Sequence, residues 1–206
     1  MQYVRVTEIL SRLRDFSLIN PLVFEEKGKI GTEVHTNIGQ HVIKAFTVFD
    51  TYPLRNPHTG KILLNPDFTQ KWKKRGKGYF ESFLKWYELE QPEISHMENE
   101  YKDDNLMIVG HIDGLMRTKK ENFNTLIDFK CSYKSDMEMW GMQSHFYKHL
   151  LELNGISVAD KLLWIQLDKD GHMPKLIYIP YSQETMQKCF HEVNKYWNEK
   201  KDAKEI

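Results

Sequence analysis

Two aspartates and a lysine interrupt apolar stretches in the middle of this chain, at a spacing that suits metal-dependent chemistry. Asp113 follows the run MIVGHI, and Asp128 and Lys130 flank a phenylalanine after TLI. Side chains two positions apart in a strand share a face, so Asp128 and Lys130 would project together while Phe129 points the other way. Burying these charges is costly unless a partner compensates them, and a divalent metal facing Asp113 and Asp128 is one such partner.

The chemistry that such a set favours is hydrolysis of a phosphate ester. Two carboxylates on neighbouring strands can hold Mg²⁺ or Mn²⁺, which prefer hard oxygen ligands. The metal lowers the pKa of a bound water and clamps a phosphoryl oxygen, and a nearby lysine can stabilise the charge that develops. The alternative is one surface aspartate on each strand, with Asp128 and Lys130 forming an ordinary ion pair.

The elements that must position these residues follow from the periodicity of apolar side chains. Residues 106–130 are predicted to form two strands joined by the polar TKKEN, after a first strand at 94–101. A helix over 136–153 ends at Asn154-Gly155, where a left-handed cap is expected. The stretches KLLWIQL and MPKLIYIPY predict a hairpin, and Ser182 a cap for the last helix.

The N-terminal half is predicted to be helical. Thr7 is expected to cap a helix to about residue 16 that ends at the Asn20-Pro21 step, and Thr32 to cap a helix of roughly four turns. Residues 50–66 are predicted to be a loop and 67–89 one or two helices. The order of elements predicts an α/β or α+β fold, a sheet with helices packed on it, in which a crossover helix joins neighbouring strands.

Length and charge limit the class of protein. With 206 residues the chain fits a single domain, with a helical part over about 1–92 and a sheet core over about 93–206. Lys plus Arg and Asp plus Glu each total 29, so any nucleic acid must be bound by a local basic patch. The sequence leaves the oligomeric state open.

Cysteine usage and hydropathy indicate a cytoplasmic protein. Cys131 and Cys189 are the two cysteines, which excludes a disulfide framework, a structural zinc site and an iron–sulfur cluster and favours a reducing compartment. The first residues lack the apolar core of a signal peptide, and no apolar run approaches the ~20 residues needed to span a bilayer. We therefore expect a soluble protein with no membrane partner.

Four short motifs in order resemble the PD-(D/E)xK nuclease superfamily, and specifically its RecB-like exonuclease branch. Asp113 and DFK resemble the catalytic core, GTEVH at 31–35 the branch's G-T-x-x-H helix, and QSHFY at 143–147 its Q-x-x-x-Y helix. The stretch VTEIL at 6–10, with GTEVH about twenty residues later, is similar to phage-encoded and mitochondrial genome-maintenance members. The resemblance spans roughly residues 5–150.

This resemblance implies a restriction-endonuclease-like core, a central mixed sheet of about five strands flanked by helices. It implies Mg²⁺ or Mn²⁺ as cofactor and Lys130 as the catalytic lysine. Gln143 and Tyr147, at i and i+4 on one helix face, would contact the DNA backbone or orient Lys130. The implied metal ligands are His35, Asp113, Asp128 and the backbone carbonyl of Phe129. Taken alone, His35 would equally suit a buried, hydrogen-bonded histidine, and Gln143 and Tyr147 a solvent-facing helix.

A further acidic residue one strand earlier is usual in this branch. Glu98 fits the expected spacing, and Glu100, expected on the same strand face, is the alternative. The chain departs from the pattern at Ile112, where the superfamily name has proline, and this leaves the chemistry intact. It also lacks the four cysteines with which some RecB-like nucleases bind an iron–sulfur cluster, so it resembles the cluster-free members.

A basic-aromatic run is the predicted DNA-contacting surface. Its cations would neutralise phosphates, and Trp72 or Tyr79 could stack on an unpaired base. The alternative is a solvated helix face with Trp72 packed on the core. The predicted DNA-binding residues are Lys71, Trp72, Lys73, Lys74, Arg75, Lys77 and, after the second acid, Lys134.

These residues predict a metal-dependent deoxyribonuclease, an exonuclease that acts at DNA ends with single-stranded DNA as a substrate. The second hypothesis is an endonuclease of the same fold, for restriction or structure-specific cleavage. The third is a catalytically silent module that binds DNA or protein. An intact acid–acid–lysine set argues against the third, because a silent module has no need of buried charges.

Overall fold

The computed structural model describes residues 3–14, 20–46, 76–118, 121–132 and 134–202, and these form a mixed α/β fold. The strands are β1 (Val4–Arg5), β2 (Glu93–Ser95), β3 (Asn99–Asp103), β4 (Ile108–Ile112), β5 (Gly114–Thr118), β6 (Glu121–Lys130), β7 (Lys161–Gln166) and β8 (Lys175–Pro180). The helices are α1 (Val6–Ser11), α2 (Pro21–Phe46), α3 (Lys77–Glu90), α4 (Met137–Leu153) and α5 (Gln183–Asp202).

The strands form two sheets. The larger one has five strands in the order β2-β5-β6-β7-β8, and only the β6–β7 pair in it is parallel. The smaller sheet has the order β1-β4-β3. Helix α4 connects β6 to β7, as a parallel pair requires a crossover connection. The prediction of a mixed five-stranded sheet flanked by helices is therefore confirmed.

Two apolar clusters cover the opposite faces of the larger sheet. Leu126 and Trp164 belong to one cluster, which includes side chains of α1, α4 and α5. Ile127 and Phe129 belong to the other, which includes side chains of α2 and α3. Successive residues of β6 thus face different helices. Asp128 lies on the same face as Leu126, the face that α4 covers.

Several predicted elements are confirmed with small changes of boundary. Helix α4 begins after Asp136, whose carboxylate accepts a hydrogen bond from the backbone of Met139. Gly155 follows the helix with a φ of 79°. Strands β7 and β8 form the predicted hairpin, and the Ser182 hydroxyl accepts a hydrogen bond from the Thr185 amide at the start of α5.

The strand predictions on either side of Asp113 are wrong in detail. The predicted strand 94–101 is two strands, β2 and β3, separated by a turn in which His96 and Glu98 both have a φ of 54°. The first strand of the predicted pair in 106–130 is also divided. Its first half, β4, pairs with β3 and β1, whereas its second half, β5, pairs with β6. The chain therefore passes from one sheet to the other at Asp113.

The two predicted N-terminal helix caps are also wrong. Helix α1 begins at Val6, directly after β1, so Thr7 lies inside it and does not cap it. Helix α2 begins at Pro21, where the Asn20 side chain accepts a hydrogen bond from the Leu22 amide. Proline suits a first helical position because its missing N–H would have no partner there. Thr32 lies within this longer helix and donates to the Gly28 carbonyl.

The division into a helical part and a sheet core needs one correction. Strand β1 lies in the part predicted to be helical, yet it pairs in parallel with β4 of the smaller sheet. Within the predicted helical stretch 67–89, the described part begins at residue 76 and contains α3, and the predicted loop 50–66 lies outside the described residues. No helix among the described residues is long and apolar enough to cross a membrane.

Close packing of α4 on β4 depends on a glycine. A Cβ atom at Gly110 would lie 2.7 Å from Leu150 Cδ1 and 2.9 Å from Tyr147 Cε1. Both side chains are buried in the cluster beneath α4. A larger residue at position 110 would push the helix away from the strand, and the residues of α4 that face the sheet would move with it.

Asp103, buried under α4, predicts a pH-dependent contribution to stability. Burial raises the pKa of Asp103, but hydrogen bonds from His149, Leu106 and Asn105 outweigh this and hold it below its usual 3.8. A lowered folded-state pKa stabilises the fold above the unfolded value, and the contribution is lost as pH falls through the folded value. We expect Asp103→Asn to reduce the free energy of unfolding by about 1.5–3 kcal/mol at neutral pH, with the difference from wild type shrinking below about pH 4.

Urea unfolding at pH 7 and pH 3 measures this difference. The exposed Asp202, for which Asp202→Asn should change little at either pH, is the control. A loss in Asp103→Asn that is equal at both pH values would contradict the assignment.

Candidate active site

The Asp113 carboxylate joins three elements at the point where the chain changes sheets. Its Oδ2 accepts a hydrogen bond of 2.7 Å from the Phe129 backbone amide on β6. Its Oδ1 lies 3.2 Å from His35 Nδ1 on α2. Asp113 is 8% exposed, so both contacts form away from bulk solvent. Burial raises the pKa of Asp113, but His35 outweighs it and holds the pKa below its usual range.

His35 is placed by the buried face of α2. Val34, Ile38 and Val42 have no exposed surface and anchor the helix against the sheet. The ring then donates through Nε2 to the Phe129 carbonyl at 2.8 Å, while Nδ1 faces Asp113. Burial alone would lower the pKa of His35, but the Asp113 carboxylate and its hydrogen bond raise it to about 9. The protonated ring therefore donates on both sides at neutral pH.

Glu98 completes a cluster of potential metal ligands. One ligand atom each from His35, Glu98 and Asp113 lies within 4.8 Å of the others. Glu98 lies in the turn between β2 and β3 with a φ of 54°, an uncommon conformation for a residue other than glycine. Burial and the Asp113 carboxylate raise its pKa to about 7. Backbone strain of this kind occurs at sites where a side chain must be aimed.

Glu100, the alternative upstream acid, lies elsewhere. Its carboxylate is 2.7 Å from His111 Nε2 and 3.1 Å from Lys102 Nζ. The expectation that Glu98 and Glu100 share one strand face is wrong, because Glu98 precedes β3. The turn between β2 and β3 brings Glu98, and not Glu100, within 3.9 Å of His35. The sequence offered both acids and did not predict this turn.

Asp128 and Lys130 lie together on the α4 face of β6, as the alternation of side chains predicts. Lys130 Nζ is 2.7 Å from Asp128 Oδ2. Apart from this ion pair, the buried Oδ2 has no hydrogen-bond partner among the described residues. Burial and the Asp113 carboxylate raise the pKa of Asp128 to about 7, although Lys130 opposes them. Asp128 is therefore a buried acid with one oxygen incompletely satisfied.

The two predicted residues of α4 also reach this pair. Gln143 Nε2 donates to Asp128 Oδ1 at 3.3 Å and to the Tyr147 hydroxyl at 3.0 Å. Tyr147 is buried, and burial raises the pKa of its phenol, which stays protonated. The structure thus brings Gln143 and Tyr147 together with Asp128. Neither contacts Lys130 in the described hydrogen bonds.

Trp164 is a site residue that the sequence did not indicate. The Lys130 ammonium lies 4.3 Å from the centre of its ring, a cation–π distance. Trp140 of α4 stacks on Trp164 at 4.9 Å, and the indole N–H donates to Ser144. Trp164 is the register partner of Asp128 in the parallel β6–β7 pair. The register of the β6–β7 pair places the Trp164 indole next to the Lys130 ammonium. No local sequence motif predicts this contact.

The predicted DNA-binding residues are only partly described. Lys71, Trp72, Lys73, Lys74 and Arg75 lie outside the described residues. Lys77, at the start of α3, is exposed and lies 3.5 Å from Glu81. Lys134, after β6, is also exposed. Both lysine side chains are accessible to a polyanion. The expectation that Tyr79 could stack on a base is wrong, because its side chain is buried in the apolar cluster of α2 and α3.

The donor set suits a divalent cation. Carboxylates from Glu98 and Asp113 with one imidazole form the compact cluster, and the incompletely satisfied Asp128 Oδ2 is a further acceptor. His35 would bind through Nδ1 after releasing the proton from that atom, because Nε2 donates to the Phe129 carbonyl. A backbone carbonyl that accepts this second ring N–H typically orients a ligating histidine. In the structure the Phe129 carbonyl makes this contact with His35, whereas the family resemblance implied that the carbonyl itself would bind the metal. Asp128 does not belong to the compact cluster, and its oxygens face Gln143 and Lys130.

Comparisons with known proteins assign no family to this fold and site. No protein-family model matches the chain, and no curated protein matches it. Among solved structures, the crystal structure of SSO0001 is similar with a TM-score of 0.36 and 18% sequence identity. The likeness covers 57% of this chain and 56% of that chain. A likeness this low carries no information about function.

The Trp164 contact can be tested without any activity. We expect the Lys130 ε-methylene protons to be shifted upfield by the ring current of Trp164 in the NMR spectrum. Trp164→Phe should retain part of the shift, and Trp164→Leu should abolish it. Lys161, whose ammonium lies 3.9 Å from the Tyr178 ring centre, is the internal control, because its shift should not change. An unshifted Lys130 resonance in the wild type would contradict the contact.

Cation binding should stabilise the fold measurably. A ligand at 100 times its Kd adds about 2.7 kcal/mol, roughly 5–10 °C in Tm for a chain of this size. We expect Mg²⁺ or Mn²⁺ to raise the Tm of the wild type, and Asp113→Asn to remove most of that rise. Glu100→Gln, outside the cluster, is the matched control and should keep it. An equal rise in wild type and Asp113→Asn would show that the ion binds elsewhere.

Proposed function

We propose that this protein is a divalent-metal-dependent DNA nuclease of the PD-(D/E)xK type that hydrolyses phosphodiester bonds, working from DNA ends with single-stranded DNA as a substrate. The observation that carries the proposal is the ion pair of the buried Asp128 with the half-buried Lys130, beside the cluster of His35, Glu98 and Asp113. Concentrating the buried carboxylates of Asp113 and Asp128 next to the partly exposed Glu98 costs folding free energy. A cationic cofactor would compensate these carboxylates, and a phosphoryl substrate would bind to the cofactor and to Lys130.

The acids in the site match a hard cation. When bound, Mg²⁺ or Mn²⁺ would acidify a water molecule and neutralise charge on a phosphoryl oxygen. Glu98, Asp113 and the Nδ1 atom of His35 would hold the ion, and Asp128 would supply a further oxygen. The contact between His35 Nε2 and the Phe129 carbonyl orients the imidazole for this task.

Lys130 is the residue suited to the reacting phosphate. Its side chain is 22% exposed, so it can be reached from solvent although its partner Asp128 is buried. Asp128 Oδ2 and the Trp164 ring restrict its position from two sides. A restrained ammonium can donate hydrogen bonds to a phosphoryl oxygen as negative charge develops on it, with little reorganisation.

Gln143 and Tyr147 support Asp128. One amide N–H of Gln143 is directed at Asp128 Oδ1 and the other at the Tyr147 hydroxyl, so the amide orientation is fixed by two partners. This contact leaves Asp128 Oδ2 facing Lys130. The role we propose for the Q-x-x-x-Y pair is therefore to orient the second acid, with contacts to the DNA backbone as a further role of Gln143.

The choice between exonuclease and endonuclease rests on the resemblance of the GTEVH and QSHFY motifs to the RecB-like branch. A closed circle of single-stranded DNA distinguishes the two, since an exonuclease leaves it intact. For the silent-module hypothesis the relevant observation is metal affinity. Calorimetry that detects no cation binding to the wild type would favour the silent module.

Removing the lysine or its acid should abolish cleavage. We expect Lys130→Met and Asp128→Asn to lower the rate of digestion of end-labelled linear DNA by about 10²–10⁴-fold, because each removes a group that acts on the reacting phosphate or its cofactor. Digestion is measured with Mg²⁺ and with Mn²⁺ on single-stranded, duplex and circular DNA. Circular dichroism checks that the variants remain folded.

Lys188→Met is the matched control for the lysine variant. Lys188 also pairs with an acid, Glu184 at 2.9 Å, but on the exposed side of α5. It should digest DNA as the wild type does. Cleavage at the wild-type rate by folded Lys130→Met would overturn the proposed mechanism.

A further inference from the structure

A groove with both polar and apolar lining residues adjoins the proposed active site between α1 and α4. It encloses a cavity of about 100 Å³. Its lining residues are Thr7, Leu10, Ser11, Arg14, Met139 and Gln143. The first four come from α1 and the turn that follows it, and the last two from α4.

The α1 side of the groove presents hydrogen-bond donors. Thr7 of α1 and Arg14 of the turn that follows it both line the groove with donor groups, whereas the Ser11 hydroxyl donates to the Glu8 carbonyl at 2.7 Å. Leu10 is 3% exposed and Met139 9%, which makes the base of the groove apolar. The Thr7 hydroxyl and the Arg14 guanidinium beside an apolar base form a surface that suits an anion attached to a less polar group.

Arg14 is restrained at the groove and remains able to bind a ligand. Its Nη2 lies 2.6 Å from Asp136 Oδ2, and the same carboxylate caps α4 through the Met139 amide. The Arg14 and Asp136 side chains are 37% and 40% exposed, so their attraction is screened by solvent. Guanidinium has five N–H donors, and one ion pair leaves several of them available.

Gln143 connects the groove to the catalytic residues. Its side chain lines the groove and also donates to Asp128 Oδ1 at 3.3 Å. A group bound in the groove would therefore lie next to the acid that we place in the catalytic mechanism. No described residue other than Gln143 belongs both to the groove lining and to the predicted catalytic set.

We propose that this groove binds a backbone phosphate of the DNA strand next to the phosphate that is cleaved. This inference rests on the proposed function, which makes DNA the substrate. The cavity has room for roughly three waters, enough for a phosphate group but not for a base as well. Contacts to phosphate carry no sequence information, so the strand is held here regardless of its sequence. Arg14 is the cation of the site, and Asp136 competes with the phosphate for it.

The test uses two variants that a phosphate site and a purely structural ion pair affect differently. Binding of a fluorescein-labelled single-stranded 12-mer is measured by anisotropy in EDTA over a range of salt concentrations. Arg14→Gln should weaken binding about tenfold and reduce the slope of log K against log salt by roughly 0.7, the value for one phosphate contact on a single strand. Asp136→Asn should strengthen binding, because it removes the competing charge and asparagine still caps α4.

Arg12→Gln is the matched control. Arg12 is two residues away but pairs with Glu199 and lies over the Tyr196 ring, away from the groove. It should leave the salt slope unchanged. Equal slopes for Arg14→Gln and Arg12→Gln, or weaker binding by Asp136→Asn, would overturn the phosphate site.

The two proposals fail in different ways. A wild type that cleaves DNA while Arg14→Gln binds like wild type refutes the groove and leaves the nuclease assignment standing. A wild type that binds DNA with the expected response to both variants, but never cleaves it with Mg²⁺ or Mn²⁺, supports the groove and refutes the nuclease. No binding by the wild type refutes the groove.

Discussion

The two contacts of the buried Asp113 carboxylate are the constraint on which the site depends. One oxygen accepts the Phe129 amide of β6 and the other faces the His35 ring of α2. Asp113 stands between β4 and β5, where the chain leaves the smaller sheet for the larger one. A single side chain therefore ties the sheet junction, the central strand and the long helix together. The other two potential ligands of the cluster, His35 and Glu98, lie next to it.

The charges around Asp113 compensate one another incompletely. His35 carries a proton, and Lys130 lies against Asp128, but three carboxylates share the region. The raised pKa values of Glu98 and Asp128, both about 7, have burial and the Asp113 carboxylate as their main causes. Clusters of this kind are typical of functional sites, because an apolar replacement would stabilise the fold more simply. The cost of burying uncompensated charge is also the argument by which the sequence predicted a Mg²⁺ or Mn²⁺ cofactor.

Helix α4 holds the side chains of Asp128 and Trp164 on one face of the larger sheet. It supplies Gln143 to Asp128, Trp140 to the ring on which Lys130 rests, and a wall of the groove that reaches Arg14. The absence of a side chain at Gly110 of β4 lets Tyr147 and Leu150 of this helix approach the strand closely. The residues that we propose for catalysis are thus held by the same contacts that pack α4 on the sheet, so packing errors under α4 would displace both.

The sequence by itself determined the local features. Period-two alternation placed Asp128 and Lys130 on one face of a strand, helical spacing placed Gln143 beside Tyr147, and the apolar stripe of α2 placed His35 at the edge of a buried face. These relations depend on backbone geometry within a few residues, so a pattern in the sequence is enough to predict them. The crossover helix and the final hairpin were predictable for the same reason.

Only the tertiary structure decided the relations between distant segments. The break at Asp113, the turn that aims Glu98 at His35, and the pairing that sets Trp164 beside Asp128 all depend on which strands become neighbours. The start of α2 at Pro21 instead of Thr32 also went unpredicted, because a proline after a polar residue both ends and begins helices. Contacts between segments are chosen by packing of the whole chain, and no single stretch of sequence contains that information.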